Sequence, residues 1–151
     1  MKIAIGADHG GYVLKKDLIG ELQKRGYEIR DFGTYSQKRC DYPPIGRRVA
    51  SVVASGKYDR GILICKTGLG MSMAANRVRG VRAALLFDAV GARSSREHND
   101  ANIAVFSGNR IGAKKASGIL KIWFNTGFLG GRHKRRVRQL DRPGKKSKRG
   151  R

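Results

Sequence analysis

A cysteine and a glycine-rich turn lie close together near the middle of the chain. Cys65 ends the apolar run Gly61–Cys65, and Lys66 separates it from the turn Thr67-Gly68-Leu69-Gly70. A cysteine thiolate can accept a proton, and nearby cations or a helix start stabilise its charged form. Backbone N–H groups of a turn that leads into a helix can bind an oxyanion or a phosphate. These residues predict a proton-transfer site, and a buried apolar thiol beside a purely structural turn is the alternative interpretation.

Two histidines lie in polar segments where an acid or a base could act. His98 lies in the run Arg96-Glu97-His98-Asn99-Asp100, just past a predicted helix, and His9 follows Asp8 after the first predicted strand. Histidine titrates nearest to neutral pH, so either residue could transfer a proton or bind a ligand. A solvated helix end for His98 and a capping role for His9 remain open, and His133 is predicted to lie on the surface.

A dense basic cluster follows Gly130-Gly131 near the end of the chain. Arg132 and Arg136 are four residues apart, so a helix would place them on one side. The forked guanidinium group suits a phosphate clamp, and a solvated helix face is the alternative. The chain has no complete nucleotide fingerprint and no His, Cys, Asp or Glu set with metal-ligand spacing. We therefore expect neither a metal nor a cofactor.

Short apolar runs alternate with helical patterns along most of the chain. This alternation predicts βαβ units in an α/β, three-layer Rossmann-like fold, with a five-stranded parallel sheet flanked by helices. Ligands of such sheets bind beyond the carboxyl ends of the strands, where we expect Asp8, His9, Cys65 and His98. The predicted strands are Lys2–Ala7, Tyr27–Phe32, Gly61–Cys65, Val81–Phe87 and Asn102–Phe106.

The chain carries a large excess of positive charge. Lys and Arg number 33 against 11 Asp and Glu in 151 residues, a formal net charge of +22. Such charge attracts anions or nucleic acid and says nothing about the fold. We divide the chain into a folded domain, 1–141, and a basic tail, 142–151, which we expect to be disordered and able to bind polyanions non-specifically.

Two further expectations concern the cellular setting of the protein. No apolar run is long enough to cross a membrane, and the first residues do not resemble an export signal. We therefore expect a cytoplasmic protein that is not bound to a membrane, in which Cys40 and Cys65 are free thiols.

Six stretches of the sequence form a specific combination that covers about residues 1–140. They are IGADHGGYVLKK near the start, DFGTYS, DYP at 41–43, ILICKTGLGMSMAANRVRGVRAAL, SREHNDANIAVF at 95–106 and GGRHKRRV at 130–137. In this combination the chain resembles the family of ribose-5-phosphate isomerase B and its allose- and galactose-6-phosphate isomerase relatives.

The resemblance implies a cofactor-independent aldose–ketose isomerase for ribose 5-phosphate and ribulose 5-phosphate. Cys65 would move a proton between C2 and C1 of the open sugar, and Thr67 with the amides of Gly68 to Ser72 would bind the enediolate oxygen. His98 would assist opening of the furanose ring. The other implied contacts are Asp8 and Asn99 for the sugar, Gly68, Gly70 and Ser72 for the oxyanion, and His9, Arg110, Arg132 and Arg136 for the phosphate.

The resemblance also implies that the site lies between two subunits. The protein would then be a homodimer, or a dimer of dimers. His98, Arg132 and Arg136 of one copy would serve the Cys65 of the other.

Two features depart from the family pattern and leave alternatives open. Lys66 stands where the family usually has glycine, and the basic excess has no evident use in the family. The alternatives are an isomerase of allose or galactose 6-phosphate, a nucleic-acid-binding protein on the same fold, and a binding protein whose chemistry Lys66 impairs. Turnover of ribose 5-phosphate would separate them.

Overall fold

A computed structural model describes residues 1–142 and contains one five-stranded sheet whose strands are all parallel. The α/β class and the five parallel strands predicted from the sequence are therefore confirmed. The strands are β1 (Lys2–Ala7), β2 (Glu28–Asp31), β3 (Arg60–Cys65), β4 (Ala83–Leu85) and β5 (Ile103–Ser107). The helices of the described residues are α1 (Tyr12–Lys24), α2 (Tyr42–Ala54), α3 (Leu69–Ala75), α4 (Ala89–Glu97), α5 (Ala113–Asn125) and α6 (Gly131–Leu140).

The five strands lie in the order β2-β1-β3-β5-β4 and run in the same direction, so all of them end along one margin of the sheet and begin along the opposite margin. We call the edge where the parallel strands end the carboxyl edge, and the edge where they begin the amino edge. From β1 the chain turns to β2 on one side, whereas β3 pairs with β1 on the other side, with Ala7 opposite Ile64. A reversal of this kind opens a crevice at the carboxyl edge, which is where such sheets bind ligands.

The core consists of two apolar layers, one on each face of the sheet. Residues of β3 alternate between them, because Ile62 and Ile64 pack in one layer and Leu63 and Cys65 in the other. Helices α1, α4 and α5 cover the first layer, and α2 and α3 cover the second. A strand covered on both faces needs apolar residues in succession, which explains the run GILIC.

Strand β4 is shorter than its apolar run predicts. The run Val81–Phe87 predicts a strand, but only Ala83–Leu85 pairs with β5. The Arg82 backbone N–H donates to the Asn102 side-chain oxygen (2.8 Å), whereas its carbonyl oxygen accepts from the Asn102 backbone N–H (3.0 Å), so Arg82 is joined to the start of β5 partly through a side chain.

None of the helices within residues 1–142 is long and apolar enough to cross a membrane. The predicted basic tail lies outside the described residues, apart from Arg142. The boundary at residue 141 therefore stays a prediction.

Candidate active site

The thiol of Cys65 lies at the carboxyl edge of the sheet, at the end of its central strand. The side chain is 4% exposed, and its Sγ accepts a hydrogen bond from the backbone N–H of Gly68 (3.2 Å). The Thr67 Oγ1 accepts a hydrogen bond from the Leu69 N–H (3.3 Å), which starts α3. The turn that was predicted from the sequence thus folds back over the sulfur and offers a hydrogen-bond partner to a thiolate.

The turn after Cys65 presents backbone N–H groups beside the sulfur. The Ser72 N–H donates to the Gly68 carbonyl oxygen (3.0 Å), so the amides of Gly68 and Ser72, both expected to bind an oxyanion, already have acceptors. Within residues 1–142, the N–H groups of Gly70 and Met71 have no acceptor. The Thr67 N–H has no acceptor in that range either, so three backbone donors of this turn can bind a substrate oxygen.

Hydrogen bonds from the loop after β5 hold the main chain of this turn. The Gly108 N–H donates to the Cys65 carbonyl oxygen (2.9 Å). The carbonyl oxygen of Lys66 accepts two hydrogen bonds, from the Ser107 Oγ (2.9 Å) and from the Asn109 N–H (3.2 Å). The Lys66 side chain itself is exposed, so the backbone of this residue carries the contacts.

The turn after β1 packs against the same segment from the other side. A Cβ at Gly11 would lie 2.6 Å from the Ile64 side chain, and a Cβ at Gly10 would lie 2.9 Å from the Lys66 Cβ. Only glycine permits so close an approach, which gives the Gly-Gly pair of the sequence a packing reason. The turn that follows Cys65 is therefore fixed between two neighbouring loops.

Asp8 and His9 lie at the carboxyl edge, as expected. Asp8 is buried, and its Oδ1 accepts hydrogen bonds from the N–H groups of Gly10 (2.9 Å) and Gly11 (3.2 Å). The His9 Nδ1 accepts a hydrogen bond from the Cys40 N–H (3.3 Å), so the proton of the neutral ring is on Nε2. His9 can therefore donate from Nε2 to an anion.

Arg110 and Gly70 complete the carboxyl-edge group. The Arg110 side chain is exposed and lies over the Phe87 ring, 5.3 Å from its centroid. A Cβ at Gly70 would lie 2.7 Å from the Tyr42 ring, so this glycine lets α3 approach α2. The predicted site residues that the structure gathers at this edge are Asp8, His9, Cys65, Thr67, Gly68, Gly70, Ser72 and Arg110.

His98 does not lie at the carboxyl edge, and that expectation is wrong. It is the C-cap of α4, and α4 returns the chain from the end of β4 to the start of β5. The residues that follow it confirm the position, because the Asn102 Nδ2 donates to the Gly80 carbonyl oxygen (2.8 Å), before β4 begins. A helix that links two parallel strands must end at the amino edge.

Asn99, Arg132 and Arg136 also belong to the amino edge. Asn99 lines a cavity beside Arg82 and Leu140, the last residue of α6. Arg132 and Arg136 are exposed on α6, and within residues 1–142 neither forms an ion pair. One chain therefore carries the predicted site residues in two groups, at opposite edges of its sheet.

An ion-pair network that the sequence analysis did not single out holds the turn that carries His98. The buried Arg96 donates to the Asp100 Oδ1 (2.7 Å) and to the Ala101 carbonyl oxygen (2.7 Å). Arg82 donates to the Asp100 Oδ2 (3.2 Å) and to the Asp141 Oδ2 (3.1 Å), which ties α6 to the same turn. The signal in the sequence is the opposite charge of Arg96 and Asp100 at a spacing of four residues.

His133, which the sequence predicts to lie on the surface, has a contact that the sequence did not reveal. Its ring stacks on the His98 ring, with centroids 4.5 Å apart and an angle of 16° between the planes. Loss of hydration lowers the pKa of His133, and the neighbouring charges of His98, Arg132 and Arg136 lower it further. No sequence pattern could find this pair, because α4 and α6 are joined by tertiary packing.

Replacing Gly68 by alanine tests how strictly the turn is built. Gly68 has a φ of +80°, and an added Cβ would collide with the Leu85 side chain and lie 3.2 Å from the Phe106 carbonyl oxygen. We expect Gly68→Ala to lower the free energy of unfolding by about 1–3 kcal/mol and turnover by about tenfold or more. Thermal unfolding and steady-state rates measure the two effects.

Gly118→Ala is the matched control, because Gly118 lies in α5 and an added Cβ would meet no atom within 4 Å. It should raise the free energy of unfolding by about 0.5–1 kcal/mol and leave turnover unchanged. A Gly68→Ala protein with full activity would contradict the role of the turn.

The described residues show no group of three or more His, Cys, Asp or Glu side chains that could hold a metal ion. What the carboxyl edge offers instead is a buried thiol, three N–H donors that have no acceptor within residues 1–142, and the cationic or hydrogen-donating groups of Arg110 and His9. Such a set can move a proton on a substrate that bears an anion.

Comparison with known proteins shows the family of the chain and agrees with its fold. A model of the ribose/galactose isomerase family matches residues 3–140. Ribose-5-phosphate isomerase B from Escherichia coli is 43% identical over 139 residues, which are 92% of this chain and 93% of that protein. The solved structure of the protein of the same name from Clostridium thermocellum has a TM-score of 0.92 at 51% identity, covering 93% of this chain and 95% of that chain.

A third relative was solved with a bound sugar phosphate. Ribose-5-phosphate isomerase B from Mycoplasma genitalium, with bound ribulose 5-phosphate, has a TM-score of 0.88 at 36% identity and covers 93% of each chain. Because the matches extend over almost all the described residues, the protein belongs to the ribose/galactose isomerase family, as its sequence motifs predict, and is a sugar-phosphate isomerase.

Proposed function

We propose that this isomerase interconverts ribose 5-phosphate and ribulose 5-phosphate through a 1,2-enediolate. The observation that carries the proposal is the buried Cys65 thiol beside a turn with three N–H groups, those of Thr67, Gly70 and Met71, that have no acceptor within residues 1–142. Aldose–ketose isomerisation needs these two elements, a base that takes and returns one proton and donors for the developing oxyanion. The relative solved with bound ribulose 5-phosphate supports the choice of sugar.

The chemical step moves one proton at Cys65. The thiolate removes the proton from C2 of the open-chain aldose, and the electron pair of that bond forms the C1–C2 double bond while O1 gains the negative charge. The N–H groups of Gly70 and Met71, with the Thr67 hydroxyl, stabilise that oxygen. The Cys65 thiol then returns the proton to C1, O2 loses its proton as the ketone forms, and O1 gains one.

A complete site requires a second copy of the chain. In one chain the Cys65 turn lies at the carboxyl edge, whereas His98, Arg132 and Arg136 lie at the amino edge. In the dimer that we propose, the amino edge of one copy faces the carboxyl edge of its partner. The exposed Leu69 and Met73 on α3, 53% and 62% exposed, are apolar groups beside the turn that such a partner would cover.

The phosphate is held by groups from both copies. The His9 Nε2–H and Arg110 come from the copy that supplies Cys65, and Arg132 and Arg136 come from the partner. Because the phosphate lies away from the reacting carbons, its binding energy positions C2 over the sulfur. Asp8 and Asn99 bind the sugar hydroxyls.

Turnover measurements with three substrates test this function. We expect kcat/KM for ribose 5-phosphate to exceed that for allose 6-phosphate and galactose 6-phosphate. A preference for either hexose phosphate would move the assignment to that sugar. Absence of turnover above the level of a Cys65→Ala control, combined with binding of RNA, would favour the nucleic-acid-binding alternative.

Replacing His98 by asparagine tests the ring-opening role. We expect His98→Asn to lower kcat/KM for ribose 5-phosphate about 10²-fold, because opening of the furanose ring needs a proton relay. An aldose 4-phosphate with four carbons cannot close a furanose ring, and its isomerisation should be almost unchanged. Equal losses on both substrates would remove the ring-opening role from His98.

A further inference from the structure

The stacked imidazoles of His98 and His133 join helices α4 and α6, which are separated along the chain by β5 and α5. His133 lies in the first turn of α6, and His98 ends α4. The chain before α6 is tied to the same place, because the Leu129 N–H donates to the Glu97 carbonyl oxygen (3.1 Å). The rings are nearly parallel, and a centroid distance of 4.5 Å is that of a stacked aromatic pair.

Within residues 1–142, no other aromatic ring stacks on the His98 ring. No hydrogen bond or ion pair in that range involves its ring nitrogens, and its side chain is exposed. The Arg96–Asp100 ion pair fixes the backbone of the turn but does not touch the ring. Among the described side chains, His133 is the one whose ring stacks on the His98 ring, and this contact can set the plane of that ring.

The surroundings of His133 favour its uncharged form. Arg132 and Arg136 flank it on α6, and it lies in the first turn of this helix, at the positive end of the helix dipole, so a further positive charge is disfavoured there. A neutral ring can stay stacked on His98 while His98 gains or loses a proton, whereas two charged rings would repel each other.

We propose that His133 is a positioning residue for the ring-opening step, holding the His98 imidazole by stacking in the plane from which it reaches the sugar ring in the partner's site. The proposal rests on the proposed function for the role of His98. It requires a flat, uncharged ring at position 133 and no proton transfer by His133 itself.

Three substitutions at position 133 separate stacking from other roles. His133→Ala should lower kcat for ribose 5-phosphate about tenfold, because a misplaced acid–base group slows its step, and should spare the four-carbon aldose 4-phosphate. His133→Phe should restore most of the rate, because phenylalanine keeps a flat ring. His133→Leu, with a side chain of similar bulk but no ring, should behave like alanine. Lys134→Ala is the control for loss of a polar side chain in the same turn of α6.

A spectroscopic measurement is independent of activity. Because the two rings stack, we expect ring current from His133 to shift the NMR signals of the carbon-bound protons of the His98 ring upfield. The shift should persist in His133→Phe and disappear in His133→Ala, with His98→Asn used to assign the signals.

Several outcomes would overturn the proposal. They are an unchanged His98 shift in His133→Ala, equal losses of rate on both substrates, or full activity of His133→Ala on ribose 5-phosphate. Failure of the proposed function is distinguishable, because it would leave His98→Asn without a selective defect on the cyclic substrate whatever the NMR spectra show.

Discussion

Replacing Cys65 by alanine is expected to lower turnover of ribose 5-phosphate by about 10²–10⁴-fold, because the proposed base of the enolisation is lost. The methyl group of alanine fits the space of the buried thiol, and the turn of residues 66–70 is held by hydrogen bonds to its backbone. The variant should therefore fold normally and bind the sugar phosphate. Loss of the Sγ acceptor leaves the Gly68 N–H without its partner, at a cost of about 1 kcal/mol in stability.

Exchange of the C2 proton with deuterated solvent, followed by NMR, measures the lost step directly. Cys40→Ala is the matched control, because Cys40 is the other free cysteine and only its backbone N–H contacts the site, through His9. The control should exchange at the wild-type rate. Wild-type exchange in Cys65→Ala would show that another group is the base.

Mixing two inactive variants is expected to restore activity if the site is shared between copies. Cys65→Ala lacks a group of the carboxyl edge, and the double variant Arg132→Ala/Arg136→Ala lacks groups of the amino edge. Each mixed dimer would contain one site with every group intact and one site with both defects. With free exchange of subunits, half of the dimers are mixed, so recovery should approach about a quarter of the wild-type activity.

A second mixture provides the control for this experiment. Cys65→Ala and Asp8→Ala both damage the carboxyl edge, so their mixed dimers have no intact site and should stay inactive. Native mass spectrometry on chains of different mass verifies that the subunits have exchanged. Exchange without recovery in the first mixture would mean that each chain holds a complete site.

The sequence predicted best those features that depend on neighbours along the chain. The strand Lys2–Ala7 has the predicted bounds and β3 begins one residue earlier than predicted, because an apolar run is visible in a short window. Cys65 and Asp8 lie at the carboxyl edge as predicted, since each follows its strand directly and the two strands are adjacent. The family was predicted correctly because its motifs combine over nearly the whole chain.

The features that the sequence did not predict depend on where a crossover brings the chain. His98 follows a helix and not a strand, so it lies at the opposite edge from Cys65, although both belong to polar segments of similar appearance. The stack of His98 on His133 needs the path of residues 126–131 as well, where Gly130 and Gly131 have φ values of +69° and +52°. A local pattern carries no information about such a path.

Lys66 is held through its backbone carbonyl oxygen and not through its side chain, and this affects which substitutions the enzyme can accept during evolution. Asp100 is the only residue other than glycine with a positive φ in residues 1–142, so position 66 does not require glycine, and Gly10 leaves room for the Lys66 Cβ. The Lys66 side chain is exposed, so its exchange for a neutral or acidic side chain should leave the Cys65 sulfur where it is. The charge of residue 66 can therefore change during evolution without moving the Cys65 sulfur. Substitution at this position can adjust how strongly the protein attracts anionic sugars at a given ionic strength.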